Sequence, residues 1–315
     1  MLLLLNNNYC RSLFYLTITL AIFTTVSPQT SYGFTIHSSY SDGCHEEATQ
    51  SAFLTTNPMP SALTKCIDKL TDNQVLNELS YYLNGFLSER DLTIFGGESK
   101  DEIIATTLII GSRNPDKNCF GYTDSTHLRQ LHLTEVEQHE HALRTSEDDG
   151  IQGSIDTIER SREHILSLIK QARDMIWQGV IQNGNQFDIN CQTMNANVET
   201  VQFWLEHYGY VDVEVFTPLF LIGRAAHTLQ DSFPHAYRSP DGHLIYSVTN
   251  LIDGLTDEYN EERDGPRHSE RLDTCHHQDI EPLFGFAKEA TLQLFIAIND
   301  YLNDHHADIS PVIAV

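Results

Sequence analysis

"GRAAHTLQDSFPHAYR", residues 223–238, decides how this chain is read. His227, Asp231 and His235 follow one another at four-residue intervals. On an α-helix a four-residue step turns a side chain through about 400°, so the three drift by about 40° per step and share one face. Leu219, Phe220, Leu221 and Ile222 lead straight into that face, which predicts burial. A lone histidine on an apolar face is usually a hydrogen-bonded core residue. Three ligand-type groups together are another matter, because burying them without partners costs several kcal/mol. Pro234 lacks an N–H and disfavours helix at Phe233, so the helix is expected to kink or end there, with His235 swinging in from the exit turn.

Composition narrows what such a cluster could serve. The chain has 315 residues, enough for a sizeable core. Nineteen Lys and Arg against 44 Asp and Glu give a formal net charge of −25. That balance argues against gripping nucleic acid through the general surface. An anionic substrate would need local positive charge, and bound metal ions supply it. The 16 histidines fit that reading, although His305 and His306 look like surface residues.

The apolar, uncharged stretch "SLFYLTITLAIFTTV", residues 12–26, follows Arg11 and gives way to "SPQTSYG". This is the layout of a secretory signal, and it falls short of the roughly 20 residues that span a bilayer. Cleavage after Gly33 is expected, leaving residues 34–315 as one mature, secreted or periplasmic domain. Cys44, Cys66, Cys119, Cys191 and Cys275 then remain. None has C-x-x-C spacing, so a structural role is expected, with at most two disulfides and a free thiol.

The fold class expected is all-α, a single multi-helix domain. Residues 64–87, 157–181, 200–209 and 281–304 carry apolar residues at three- and four-residue intervals. Strand-like alternation is scarce, with "GYVDVEVF", residues 209–216, the best case. Residues 144–150 and 257–268 read as long loops around the bundle. Trp177 and Trp204 read as core residues of amphipathic helices.

Further nitrogen and oxygen ligands of the kind zinc takes are spread along the chain. His45 opens an amphipathic helix in "SDGCHEEATQSAF". Asp116, in "TLIIGSRNPDKN", reads as an exposed carboxylate after a buried run. "HLRQLHLTEVEQHEHALR", residues 127–144, holds four histidines, and "GPRHSERLD", residues 265–273, offers His268 and Asp273. Arg224 and Arg238 flank the central motif, where surface salt bridges account for them as well as phosphate contact would.

This ordered set resembles the zinc-dependent phospholipase C superfamily, which also contains the single-strand-specific zinc nucleases and Het-C-like proteins. The resemblance implies a helical domain that binds two or three zinc ions. It implies metal ligands at Phe34 (through its own amine and carbonyl), His45, Asp116, His141, His227, Asp231, His235, His268 and Asp273. His127 or His132 could replace His141, and His243 competes with His268. Three residues separate Asp231 from His235, as in the Het-C branch, where the phospholipases and nucleases have five. The activity implied is phosphodiester hydrolysis, first as a phospholipase C acting on phospholipid with transient membrane-surface contact. In that scheme Asp231 bridges two ions, Asp116 is the catalytic carboxylate beside the attacking water, and His235 with His268 holds a third ion. A nuclease or other phosphodiesterase is the alternative, though no stable nucleic-acid partner is expected. A non-catalytic, zinc-stabilised Het-C-like helical protein is the third reading.

Overall fold

The computed structural model describes residues 43–58, 67, 100–117, 132–183, 186–194, 197–205, 209–254 and 259–303. All of them fall within the compact unit Ser31–Val315. The expected signal segment, Phe34, the expected helix at 64–87 apart from Ile67, and His127 lie outside the described residues.

At the centre is α5, Thr217–Asp231. Pro218 sits in its first turn, where a missing N–H costs nothing and φ is already helical. From Pro218 to Asp231 every residue but Arg224 is buried. Four other helices surround it: α1 (Cys44–Thr55), α2 (Lys100–Lys117), α3 (Gly150–Gln178) and α8 (Glu281–Asn303). Leu219, Ile222 and Ala226 of α5 share one apolar core with Ile104 and Leu108 of α2, Ile165 and Ile169 of α3, and Phe295 and Ile298 of α8. Each fully buried Leu, Ile or Phe contributes about 1.5–3 kcal/mol. That margin is what lets α5 carry a polar stripe through the interior.

Two glycines set how closely α2 and α5 approach. A Cβ on Gly223 would lie 2.2 Å from the Leu108 carbonyl oxygen and 2.9 Å from the Gly111 Cα, and one on Gly111 would lie 2.3 Å from the Phe220 carbonyl oxygen. Only hydrogen fits at this crossing. One turn beyond it, Asp116 of α2 meets His227 and Asp231 of α5.

The described residues are mostly helical but not all-α. Among the described residues, three two-stranded antiparallel ribbons accompany the helices: β1 (Val180–Asn183) with β2 (Gln186–Ile189), β3 (Val198–Leu205) with β4 (Gly209–Phe216), and β5 (Ala236–Arg238) with β6 (Ile245–Val248). β4 is the stretch whose alternation reads as strand. β3 overturns the expectation of a helix over 200–209. Its apolar spacing suits a helix, but Val198, Val201 and Phe203 also suit a strand, and pairing from Val198↔Phe216 to Leu205↔Gly209 settles it. Trp204 therefore lies on a strand. Trp177 stays on α3, which starts seven residues earlier than expected and ends at Gln178.

The remaining short elements are α4 (Cys191–Met194), α6 (Leu251–Gly254), α7 (Glu261–Asp264) and a 3₁₀ turn, Glu270–Asp273. A disulfide joins Cys44, at the start of α1, to Cys275, just after that turn; both residues are fully buried. Its sequence separation of 231 residues corresponds to about 5 kcal/mol in the chain-entropy account of cross-linking. Cys191 is disulfide-bonded as well, and no described cysteine is free.

Candidate metal centre

Three elements deliver ligand-type side chains to one buried point. His45 is the second residue of α1, Asp116 lies in the last turn of α2, and His227 and Asp231 stand one turn apart on α5. A ligand atom from each lies within 4.8 Å of the others, and all four residues are buried. Asp116 belongs equally to a second group with His132 and His141. A third group consists of His235, His268 and Asp273.

Asp116 corrects its expected exposure. It is 8 % exposed, because α2 runs on through Gly111 and Pro115 and carries it to the interior. His132 and His141 are both in the site, so the two candidates are partners instead of rivals: their rings stack at 4.4 Å. His243 is exposed on the β5–β6 turn and joins no group. His268 lies with its Nε2 2.9 Å from Asp273 Oδ1, in the third group.

The separations are short. His227 Nε2 and His141 Nδ1 each lie 3.0 Å from Asp231 Oδ2. His45 Nε2 lies 3.3 Å from Asp231 Oδ1 and 3.6 Å from Asp116 Oδ2. His132 Nε2 lies 3.2 Å from Asp116 Oδ1, and His227 Nε2 3.7 Å from the same oxygen. Tetrahedral zinc with bonds of about 2.1 Å sets its ligand atoms about 3.4 Å apart. The separations of 3.0–3.7 Å lie around that value.

Tautomers give the stronger test of fit. His227 Nδ1–H donates to the Ser112 carbonyl at 2.7 Å, and His235 Nδ1–H to the His141 carbonyl at 2.5 Å. Gln230 gives its amide hydrogens to Thr49 Oγ1 and Thr291 Oγ1, so its oxygen is the acceptor for His45 Nδ1–H at 2.7 Å. In each ring the Nδ1 proton is committed on one side, so Nε2 is the nitrogen left for a cation; on His45, Asp231 and Asp116 hold a second proton in the absence of one. Lone pairs facing carboxylate oxygens repel unless a proton or cation lies between them, and this outward anchoring is how histidine ligands are held for metal. Among the described residues, no hydrogen bond reaches Asp231 Oδ1 or His235 Nε2. The donor set could hold a metal ion.

Electrostatics carry the same strain. Burial opposes charge on Asp231, yet His227, His235 and His141 hold it well below the usual carboxylate range. Asp116 is lowered too, with His227, His132 and His45 outweighing its burial. Burial pulls His45 down, but Asp231 and Asp116 more than reverse this and raise it to about 9. His235 is pushed down to about 3 by burial, against Asp231.

Supporting residues brace the ligands. Arg144 is 1 % exposed and donates to the carbonyls of Asp148 and Arg263 and to Ser154 and Ser247. It pins the turn that carries His141, in which Ala142 takes a positive φ of 51°. Arg113 pairs with Glu46 at 3.2 Å, both buried, and ties α2 to α1 beside His45. Arg224 pairs with Glu140, and Arg238 donates to the Ser232 carbonyl, so both flanking arginines are accounted for structurally. Gln230 and Arg144 were invisible as site residues in the sequence; the one signal for Gln230 is an amide next to Asp231 in a segment otherwise bound for the core. No protein-family model, curated protein or solved structure matches this chain.

Proposed function

We propose that this protein is a zinc-dependent phosphodiester hydrolase, with phospholipid as its first substrate class. The observation that carries the reading is the sharing of carboxylates: Asp116 joins two ligand groups, and Asp231 faces His45, His141 and His227 at 3.0–3.3 Å. Shared carboxylates are what set metal ions close enough to act together. When bound, such ions supply Lewis-acid activation of water and neutralise the phosphoryl oxygens.

The protein's own residues do the rest. Asp231, fully buried, orients the histidines and holds the centre together. Asp116, slightly exposed at the rim, is placed to take the proton of an attacking water, with His132 steadying its Oδ1. His235, His268 and Asp273 form a separate group that would hold a further ion, and that ion would neutralise the charge on the leaving oxygen. The negative surface keeps anions elsewhere, so a phosphodiester is drawn only to the centre.

Lipid is favoured over nucleic acid by two observations. The net charge of −25 opposes polyanion binding. The ribbon that leaves His235 exposes Tyr237, Leu244 and Tyr246, with the two tyrosine rings 5.9 Å apart, and tyrosine with an apolar neighbour suits a membrane–water interface. No described helix is long and apolar enough to cross a membrane. A second reading, a non-catalytic zinc-stabilised helical protein, has the depth of the ligands in its favour, since His45, His227, Asp231 and His235 have no exposed surface. Hydrolysis assays on phosphatidylcholine, single-stranded nucleic acid and a chromogenic phosphodiester separate the readings. Cleavage of none of them by zinc-loaded protein leaves the second reading standing.

A further inference from the structure

Away from the buried cluster, three more ligand-type side chains converge. His139 and Glu140 come from the turn before His141, and His164 comes from α3; each brings a ligand atom within 4.8 Å of the others. The two rings meet edge to face with centroids 4.4 Å apart. All three residues are half-buried, unlike the ligands of the main centre. Arg224 donates to Glu140 Oε1 at 2.5 Å, which fixes the carboxylate and leaves its second oxygen for another partner.

We propose that His139, Glu140 and His164 form a second, exchangeable transition-metal site, separate from the buried centre. Two imidazoles and one carboxylate are a donor set that zinc accepts, and partial exposure lets water complete the coordination and lets the ion enter. The Arg224 guanidinium beside Glu140 weakens the site, so it fills only after the buried centre is full. Filling it ties the turn that carries His141 to α3.

The test uses the full mature protein, stripped with chelator and then titrated with zinc. Wild type takes its tight complement and then one weaker equivalent. His139→Gln and His164→Gln each lose the weaker equivalent and keep the tight one. A weak equivalent that survives both substitutions, or no weak equivalent in wild type, overturns the proposal. A second measurement needs no variant: cobalt added to zinc-filled wild type broadens the ring resonances of His139 and His164. Broadening confined to other residues overturns the proposal.

Discussion

Gly223→Ala tests whether the helix crossing builds the site. The added Cβ would sit 2.2 Å from the Leu108 carbonyl oxygen and 2.9 Å from the Gly111 Cα, both backbone atoms that cannot rotate away. Ordinary contact begins near 3.4 Å, so α2 and α5 must part by about 1 Å if the strain is relieved by separation alone. Overpacking of this kind costs about 1–3 kcal/mol, and the rigid obstacle places this case at the upper end. For a domain of this size, about 3 kcal/mol lowers the melting temperature by about 6–12 °C. The same separation draws Asp116 away from His227 and Asp231, so metal affinity falls alongside stability. Gly285→Ala is the control: it lies in exposed helix, nothing stands within 4 Å of its added Cβ, and it leaves stability unchanged or raised by about 0.5–1 kcal/mol. Thermal unfolding and zinc titration of the two variants decide the matter. A Gly223→Ala protein that melts within 2 °C of wild type (roughly the shift from 1 kcal/mol or less) and binds zinc normally refutes the reasoning.

Three further outcomes follow from the same geometry. Asp231→Asn loses zinc, stability and turnover together, whereas Asp116→Asn, nearer the rim, lowers turnover by about 100-fold or more with a smaller fall in melting temperature; metal content, melting and phosphodiester hydrolysis measured on both check this. Gln230→Leu removes the acceptor for His45 Nδ1–H and weakens zinc binding by about 10- to 100-fold, and Gln230→Glu restores the acceptor and most of the affinity, as read by competition with a chelating dye. Burial pushes His164 down to about 4 from an ordinary 6.5, so the unfolded chain takes up its proton first on acidification. Its contribution to stability is present above pH 6.5 and lost as pH falls towards 4. In metal-stripped protein, His164→Leu therefore flattens the pH dependence of denaturant midpoints between those values.

The central motif was legible because its physics is local. A four-residue step on a helix puts His227 and Asp231 on one buried face, and the helix ends at Asp231, so His235 follows from the exit turn and joins a separate group. Asp116 reads as exposed in the sequence because Pro115 looks like a breaker; the proline sits in the last turn of α2, and the helix continues past it to Lys117. His132 and His141 looked like competitors because spacing ranks candidates singly, while a shared carboxylate recruits both. β3 carries apolar spacing that suits a helix as well as a strand, and only its pairing with β4, a non-local contact, makes it a strand. Gln230 and Arg144 act by bracing ligands from distant segments, and no local pattern announces a residue whose partners lie 185 or 103 positions away.

The most direct test of the metal centre is the zinc content of the mature protein, purified without chelator and measured by elemental analysis against protein concentration. The ligand groups around Asp116, Asp231 and His235 predict two or three zinc ions per chain, removed by chelator with a fall in melting temperature and restored on adding zinc. Less than one zinc per chain, with no uptake on reconstitution, would contradict the account.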